Sequence, residues 1–192
     1  MDAPPAPACC PVLRATLRGA IGFGAVSTAA YAVWAFGGKW FGRHGGDAAM
    51  YPVIAVVFIG LSGLLLHPLA GGVGRFYRAF VPAFVAYAAV WCAAWFLIKK
   101  RPGEWVGSAA GSAVFALVAG ALLGNLRRWP KAAVVLFAVH SAGYFLGGEL
   151  FYSMKSTLGM LGWGLLYGLG FGAGIGYVFA GSGTRKAAPS PG

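Results

Sequence analysis

The stretch that most constrains this chain runs from Leu158 to Gly181, LGMLGWGLLYGLGFGAGIGYVFAG, without one charged side chain. Within it Gly164, Gly168, Gly172 and Gly176 recur every four residues. A four-residue step returns to nearly the same side of an α-helix, so these glycines make a smooth groove with no side chains in it. In water so many glycines would weaken a helix. In hydrocarbon the backbone must satisfy its own hydrogen bonds, and small residues let a neighbouring helix come close. The run therefore predicts a transmembrane helix built to be packed against, a glycine zipper. Eight of the 18 residues from Gly159 to Gly176 are glycine, so composition carries the expectation as much as register does.

The remainder of the chain is of the same kind. Of its 192 residues 59% are hydrophobic and 10% charged, against about a quarter charged in soluble domains. Apolar stretches at 13–40, 50–69, 76–98, 105–124, 132–151 and 158–181 predict an all-α integral membrane protein, a compact bundle of six transmembrane helices. Each stretch has close to the 20 residues that a hydrocarbon layer of ~30 Å requires. A Pro/Ala-rich tail over 1–12 and a polar tail over 182–192 are expected to be disordered. Arg14 and Arg18 ahead of small apolar residues could open a signal peptide, but the run continues past any cleavage site near Ala29 or Ala30 and reads as a retained helix. The segments GGKWFGRHGGDAA and KKRPGE are expected as loops.

A net charge of +11 would suit a nucleic-acid binder, but the basic residues stand in ones, twos and threes between apolar runs, where loops meet lipid headgroups. Nucleic acid is therefore excluded as a partner. With both termini on one side, that side holds Arg14, Arg18, Arg75, Arg78, Arg127, Arg128, Lys131, Arg185 and Lys186, nine of the 15 basic residues. The expected placement is a bacterial inner membrane with both termini cytoplasmic. Expected partners are the lipid bilayer and, through small-residue faces, another copy or a partner membrane protein. Cys9, Cys10 and Cys92 offer no disulfide framework.

Ala55-Val56-Val57-Phe58 echoes Ala133-Val134-Val135-Leu136, which raises a 3+3 inverted repeat, a common plan among transporters. The fourth stretch carries a small-residue row, Ser112, Ala116, Gly120 and Gly124, preceded by Gly107 and Gly111. The third carries Phe80, Phe84, Tyr87, Trp91 and Trp95 on one stripe, and the sixth a shorter stripe of Trp163, Tyr167 and Phe171. The glycine groove of the sixth helix is expected to receive the aromatic stripe of the third or the small row of the fourth.

Only histidine offers acid–base chemistry deep in this membrane. His140 lies near mid-depth in the fifth stretch, with Ser141 beside it and Tyr144 one turn on. An ionisable group there is a functional candidate by default, and the plain alternative is a neutral imidazole hydrogen-bonded to a neighbouring helix. His67 and Ser62 add polar groups on the second helix. His67 is expected roughly 10 Å from His140 in depth, too far for two axial haem ligands, and His44 in a loop gives no three-histidine metal spacing. No cofactor, metal or catalytic residue is therefore expected. Gly60-Leu61-Ser62-Gly63 resembles the G-x-S-G nucleophile motif of rhomboid proteases, but the likeness covers four residues and lacks that family's second-helix His and Asn. The leading functional expectation is a small channel or carrier for a neutral or weakly charged solute, lined by His140, Ser141, Tyr144, Ser62 and His67. Gly164, Gly168, Gly172, Gly176, Gly120 and Gly124 would pack its helices. The alternatives are a non-catalytic subunit that receives partner helices on its glycine faces, and an intramembrane enzyme using His140.

Overall fold

The computed structural model describes residues 11–180, so most of both expected tails, with Cys9, Cys10, Arg185 and Lys186, lies outside the described residues. Six helices follow one another: α1 (Pro11–Arg43), α2 (Gly46–Leu66), α3 (Val73–Ile98), α4 (Lys100–Leu122), α5 (Trp129–Met154) and α6 (Thr157–Ala180). All six are long and apolar enough to cross a membrane.

The connections are tighter than the sequence suggests. The polar segment after Phe36 is mostly helical, because α1 runs on to Arg43 and α2 begins at Gly46. Between α3 and α4 only Lys99 is non-helical, with φ 61°, and Lys100 follows at φ 55°. Pro102 is tolerated because it falls in the first turn of α4, where a backbone N–H has no helical partner to lose. Ser156 caps α6: its Oγ accepts the Gly159 N–H at 3.2 Å. Short 3₁₀ turns at His67–Leu69 and Leu126–Arg128 make the connections at the opposite end.

The helices stand in a ring in chain order, with α6 returning to α1. The glycine row of α6 faces α1, a partner the sequence did not suggest. A Cβ added at Gly172 would overlap the Gly19 carbonyl oxygen and lie 2.6 Å from Phe23 Cβ. One at Gly168 would lie 2.8 Å from Gly24 Cα, one at Gly176 2.8 Å from Thr16 Cα, and one at Gly164 2.7 Å from Tyr31 Cβ. The other side of α6 meets α5 just as closely. A Cβ at Gly170 would strike the Val139 carbonyl and lie 3.2 Å from Gly143 Cα, and one at Gly174 would strike Leu136. Gly168, Gly172 and Gly176 are two residues, about 200°, from Gly170 and Gly174, so α6 has two opposite glycine faces and is clamped between two backbones.

The aromatic stripe of α3 finds its glycines on α4 instead. Added Cβ atoms at Gly111, Gly107 and Gly103 would lie against Tyr87, Trp91 and the Ala94–Trp95 backbone respectively. Residue numbers rise by four on one helix as they fall by four on the other, which is the register of two antiparallel helices. Of the small row expected on the fourth helix, Gly120 meets the turn that follows it and Trp129 at the start of α5, at ordinary contact distances, and Gly124 lies beyond the helix at φ 71°, where it serves the turn.

The ring encloses aromatic side chains. Phe23 of α1 sits with its ring centroid 5.5 Å from Phe58 of α2 and 5.3 Å from Phe171 of α6. Phe84 of α3 and Phe115 of α4 complete the cluster, 6.3 Å and 5.5 Å from Phe171. The two halves of the chain are packed differently. Where α5 and α6 meet backbone to backbone, α2 and α3 meet through side chains: Tyr77 fills the space a Gly63 side chain would need, and its hydroxyl donates to the Gly60 carbonyl at 2.9 Å.

Replacing Gly172 by leucine forces α1 and α6 apart and should destabilise the bundle by about 2 kcal/mol or more, in the upper range for overpacking. Gly60→Leu, where an added Cβ meets nothing within 4 Å, should cost less than about 0.5 kcal/mol. Thermal unfolding of both variants in the same detergent reads the difference; equal losses would mean that the α1–α6 contact is not close.

Candidate functional site

Five helices send a phenyl ring to the centre of the bundle; α5 sends an imidazole. His140 is fully buried, with its ring centroid 5.2 Å from Phe171, 5.4 Å from Tyr167 and 5.6 Å from Tyr87. The position follows from the glycines around it. Gly143 and Gly147 draw α5 onto α6, so His140, one turn before Gly143 on the buried face of α5, lies beside α6's aromatic stripe.

Both ring nitrogens are paired. The Tyr87 hydroxyl lies 2.9 Å from Nε2 and Ser108 Oγ lies 2.8 Å from Nδ1. Ser108 Oγ is also 2.7 Å from Ser141 Oγ. The chain Tyr87–His140–Ser108–Ser141 thus joins α3, α5 and α4. A neutral imidazole has one donor and one acceptor nitrogen, and the chain can be satisfied in two directions. In one, Tyr87 O–H donates to Nε2, Nδ1–H donates to Ser108 and Ser108 O–H donates to Ser141. In the other, Ser141 donates to Ser108, Ser108 O–H donates to Nδ1 and Nε2–H donates to the Tyr87 oxygen. Reversing the chain moves one proton across the imidazole and creates no charge.

The residues the sequence nominated are brought together only in part. Ser141 belongs to the chain. Tyr144 stands beside it, but its hydroxyl donates elsewhere, to Glu104 at a long 3.4 Å, and its ring packs 5.7 Å from Trp91 and 5.5 Å from Trp163. His67 is outside the site: it follows α2, and its Nδ1 lies 3.1 Å from the Gly63 and Leu64 carbonyls of its own helix. The Ser62 hydroxyl is buried with no hydrogen-bond partner among the described residues, so the G-x-S-G serine is not paired with His140. The buried hydroxyls of Ser27 and Ser112 are likewise without a partner among the described residues.

Two members of the chain were missed. Tyr87 was read only as one ring in a packing stripe, although a tyrosine among phenylalanines at mid-helix brings a hydroxyl that burial obliges to find a partner. Ser108 carried a weaker signal, a hydroxyl one turn before Ser112 in an apolar helix. Its pairing follows from register, because the α3–α4 alignment that sets Gly111 on Tyr87 and Gly107 on Trp91 brings Ser108 within one turn of Tyr87, a gap that the His140 ring bridges.

The groups present are hydroxyls and one imidazole, with no fixed charge. Such a set can hold or pass a small molecule that donates and accepts hydrogen bonds, and it can relay a proton between neutral groups. No family model matches this chain, and no curated protein or solved structure is significantly similar to it.

If the Tyr87–His140 bond contributes to folding, a double-mutant cycle of Tyr87→Phe and His140→Leu should give a coupling energy between about 0.6 and 1.7 kcal/mol, the mean and the upper end for such bonds within membranes. Tyr77→Phe paired with His140→Leu shares no bond and should couple by less than about 0.5 kcal/mol. Equal couplings in the two cycles would show that the bond adds nothing.

Proposed function

We propose that this protein is a carrier, seen in a closed form, for a small neutral or weakly charged solute, with His140, Tyr87, Ser108 and Ser141 as its polar station. The observation that carries this reading is the buried, charge-free hydrogen-bond chain across three helices, the one place in a mostly apolar bundle where several buried polar side chains among the described residues are bonded to one another. Polar groups at that depth are costly and mark pathways in many membrane proteins. A carrier suits the molecule better than an open channel because aromatic rings occupy the centre. The absence of fixed charge in the station suits a solute recognised by hydrogen bonds alone.

The two other expectations draw less support. A subunit that received partner helices on the glycine faces of α6 would find both faces already covered by α1 and α5. An intramembrane enzyme has a serine 2.8 Å from its histidine, but Ser108 and His140 are both 0% exposed and enclosed by the rings around them. The charge count supports a cytoplasmic location for both termini in a bacterial inner membrane. Arg14, Arg18, Arg75, Arg78, Arg127, Arg128 and Lys131 lie towards one end of the bundle and Lys39, Arg43, Lys99, Lys100, Arg101 and Lys155 towards the other, and Arg185 and Lys186, outside the described residues, follow the end of α6 and bring the count to nine against six.

The test is permeability. Vesicles containing the protein should shrink and recover faster than protein-free vesicles under a gradient of at least one of urea, glycerol or acetamide. Ser108→Ala, which removes the link between the imidazole and Ser141, should lower that flux about tenfold, the worth of one hydrogen bond to the passing solute, while its thermal unfolding shows that the bundle persists. Flux equal to protein-free vesicles for all three solutes would contradict the reading.

A further inference from the structure

Outside the ring, between α4 and α5, lies a groove of about 520 Å³ walled by Trp105, Phe137, Ala142, Phe145 and Leu146, with Ser141 of the buried chain also in its lining and Glu149 at one end. From Phe137 to Glu149 it runs twelve residues of helix, about 18 Å, close to the depth of one leaflet of a ~30 Å hydrocarbon layer. Apart from Ser141, itself buried, its walls are apolar, and two of them, Trp105 and Leu146, are 46% and 62% exposed on the outside of the bundle. An acyl chain fits such a wall, and a polar solute does not.

The mouth of the groove carries both signs of charge. Arg101, in the first turn of α4, donates from both terminal nitrogens to Glu149 Oε1, at 2.9 Å and 2.7 Å, and its guanidinium carbon lies 5.4 Å from the centre of the Phe145 ring. Because both bonds end on one carboxylate oxygen, Glu149 Oε2 and the Arg101 Nε–H stay outside the pair. The two side chains are 59% and 61% exposed. An exposed pair of this kind adds little to stability, so folding alone gives it small purpose.

From this juxtaposition we infer that the groove is a binding site for a phospholipid whose headgroup carries a phosphate and a primary ammonium. One acyl chain lies along Phe137, Ala142 and Phe145. The phosphate accepts from Arg101, and the ammonium donates to Glu149 Oε2. Lys99 and Lys100 beside the mouth add attraction for the phosphate. A choline headgroup has no N–H to donate, and a glycerol headgroup brings no cation to Glu149, so the site separates three common headgroups by chemistry.

The experiment uses the full-length protein, delipidated in detergent and offered equal amounts of phosphatidylethanolamine, phosphatidylcholine and phosphatidylglycerol with identical acyl chains, then examined by native mass spectrometry. Phosphatidylethanolamine should be retained about fivefold over each of the others, a little less than one charge-assisted hydrogen bond allows. Glu149→Gln should erase that preference while some lipid remains bound, and Ala142→Trp, which fills the groove from the lipid side, should reduce retention of all three. Thermal unfolding of each variant confirms that the bundle persists. Equal retention of the three lipids, a preference for phosphatidylglycerol, or a preference unchanged in Glu149→Gln would overturn the assignment.

Discussion

Everything in this fold depends on the approach of α6 to two backbones at once. Lipid tails are as apolar as leucine, so helices in a membrane gain little from hiding apolar surface and associate through close packing and polar bonds. Glycine at Gly168, Gly172 and Gly176 removes the atoms that would hold α1 away, and glycine at Gly170 and Gly174 does the same towards α5. With α1 and α5 fixed on either side of α6, the first and last helices of the chain become neighbours and the ring closes. The second glycine system, Gly103, Gly107 and Gly111 against the α3 aromatics, ties the opposite wall. One system thus packs backbone on backbone, while the other packs rings on backbone.

Ring closure leaves a centre that aromatic side chains fill, and there His140 has two properties at once. As a flat ring it packs like the phenyl groups around it, edge-on to Phe171 and Tyr167. As a base it would be an unpaired polar group in hydrocarbon, costing about 1–3 kcal/mol, unless both nitrogens were bonded. Tyr87 and Ser108 meet that demand, and Ser141 extends it towards the flank of the bundle. A network bonded in this way also specifies how α3, α4 and α5 sit together, because sliding any one of them by a turn would break it. The same three helices therefore carry both the registration of the bundle and its candidate chemistry.

The six membrane helices were legible from apolar runs of the right length, and their ends differ mainly where polar segments keep helical geometry, as from Phe41 to Arg43 and from Gly46 to Ala49. The glycine row of α6 was legible as a packing surface, but its partner was not. Small residues say that something comes close, and only the tertiary arrangement chooses between Gly19 on α1 and the rows on other helices. The aromatic stripe of α3 was legible too, but the glycines it meets are Gly103, Gly107 and Gly111 of α4 and not those of α6. His140 and Ser141 could be singled out because polar groups are rare in such a chain. Ser108 could not, since the four-residue step to Ser112 is its only mark in a glycine-rich helix, and its role exists only through the register of α4 against α3 and α5.

The closest test of this arrangement is a disulfide between α1 and α6 in native membranes. With Cys9, Cys10 and Cys92 replaced by serine, cysteines are placed at position 24 on α1 and position 169 on α6, where an added Gly24 Cβ would lie 3.5 Å from Leu169 Cγ. Mild oxidation should link Gly24→Cys to Leu169→Cys within one chain, and leave Leu169→Cys unlinked when its partner is Ala88→Cys on α3. A disulfide to α3 with none to α1 would contradict the central place of α6 and the ring built on it.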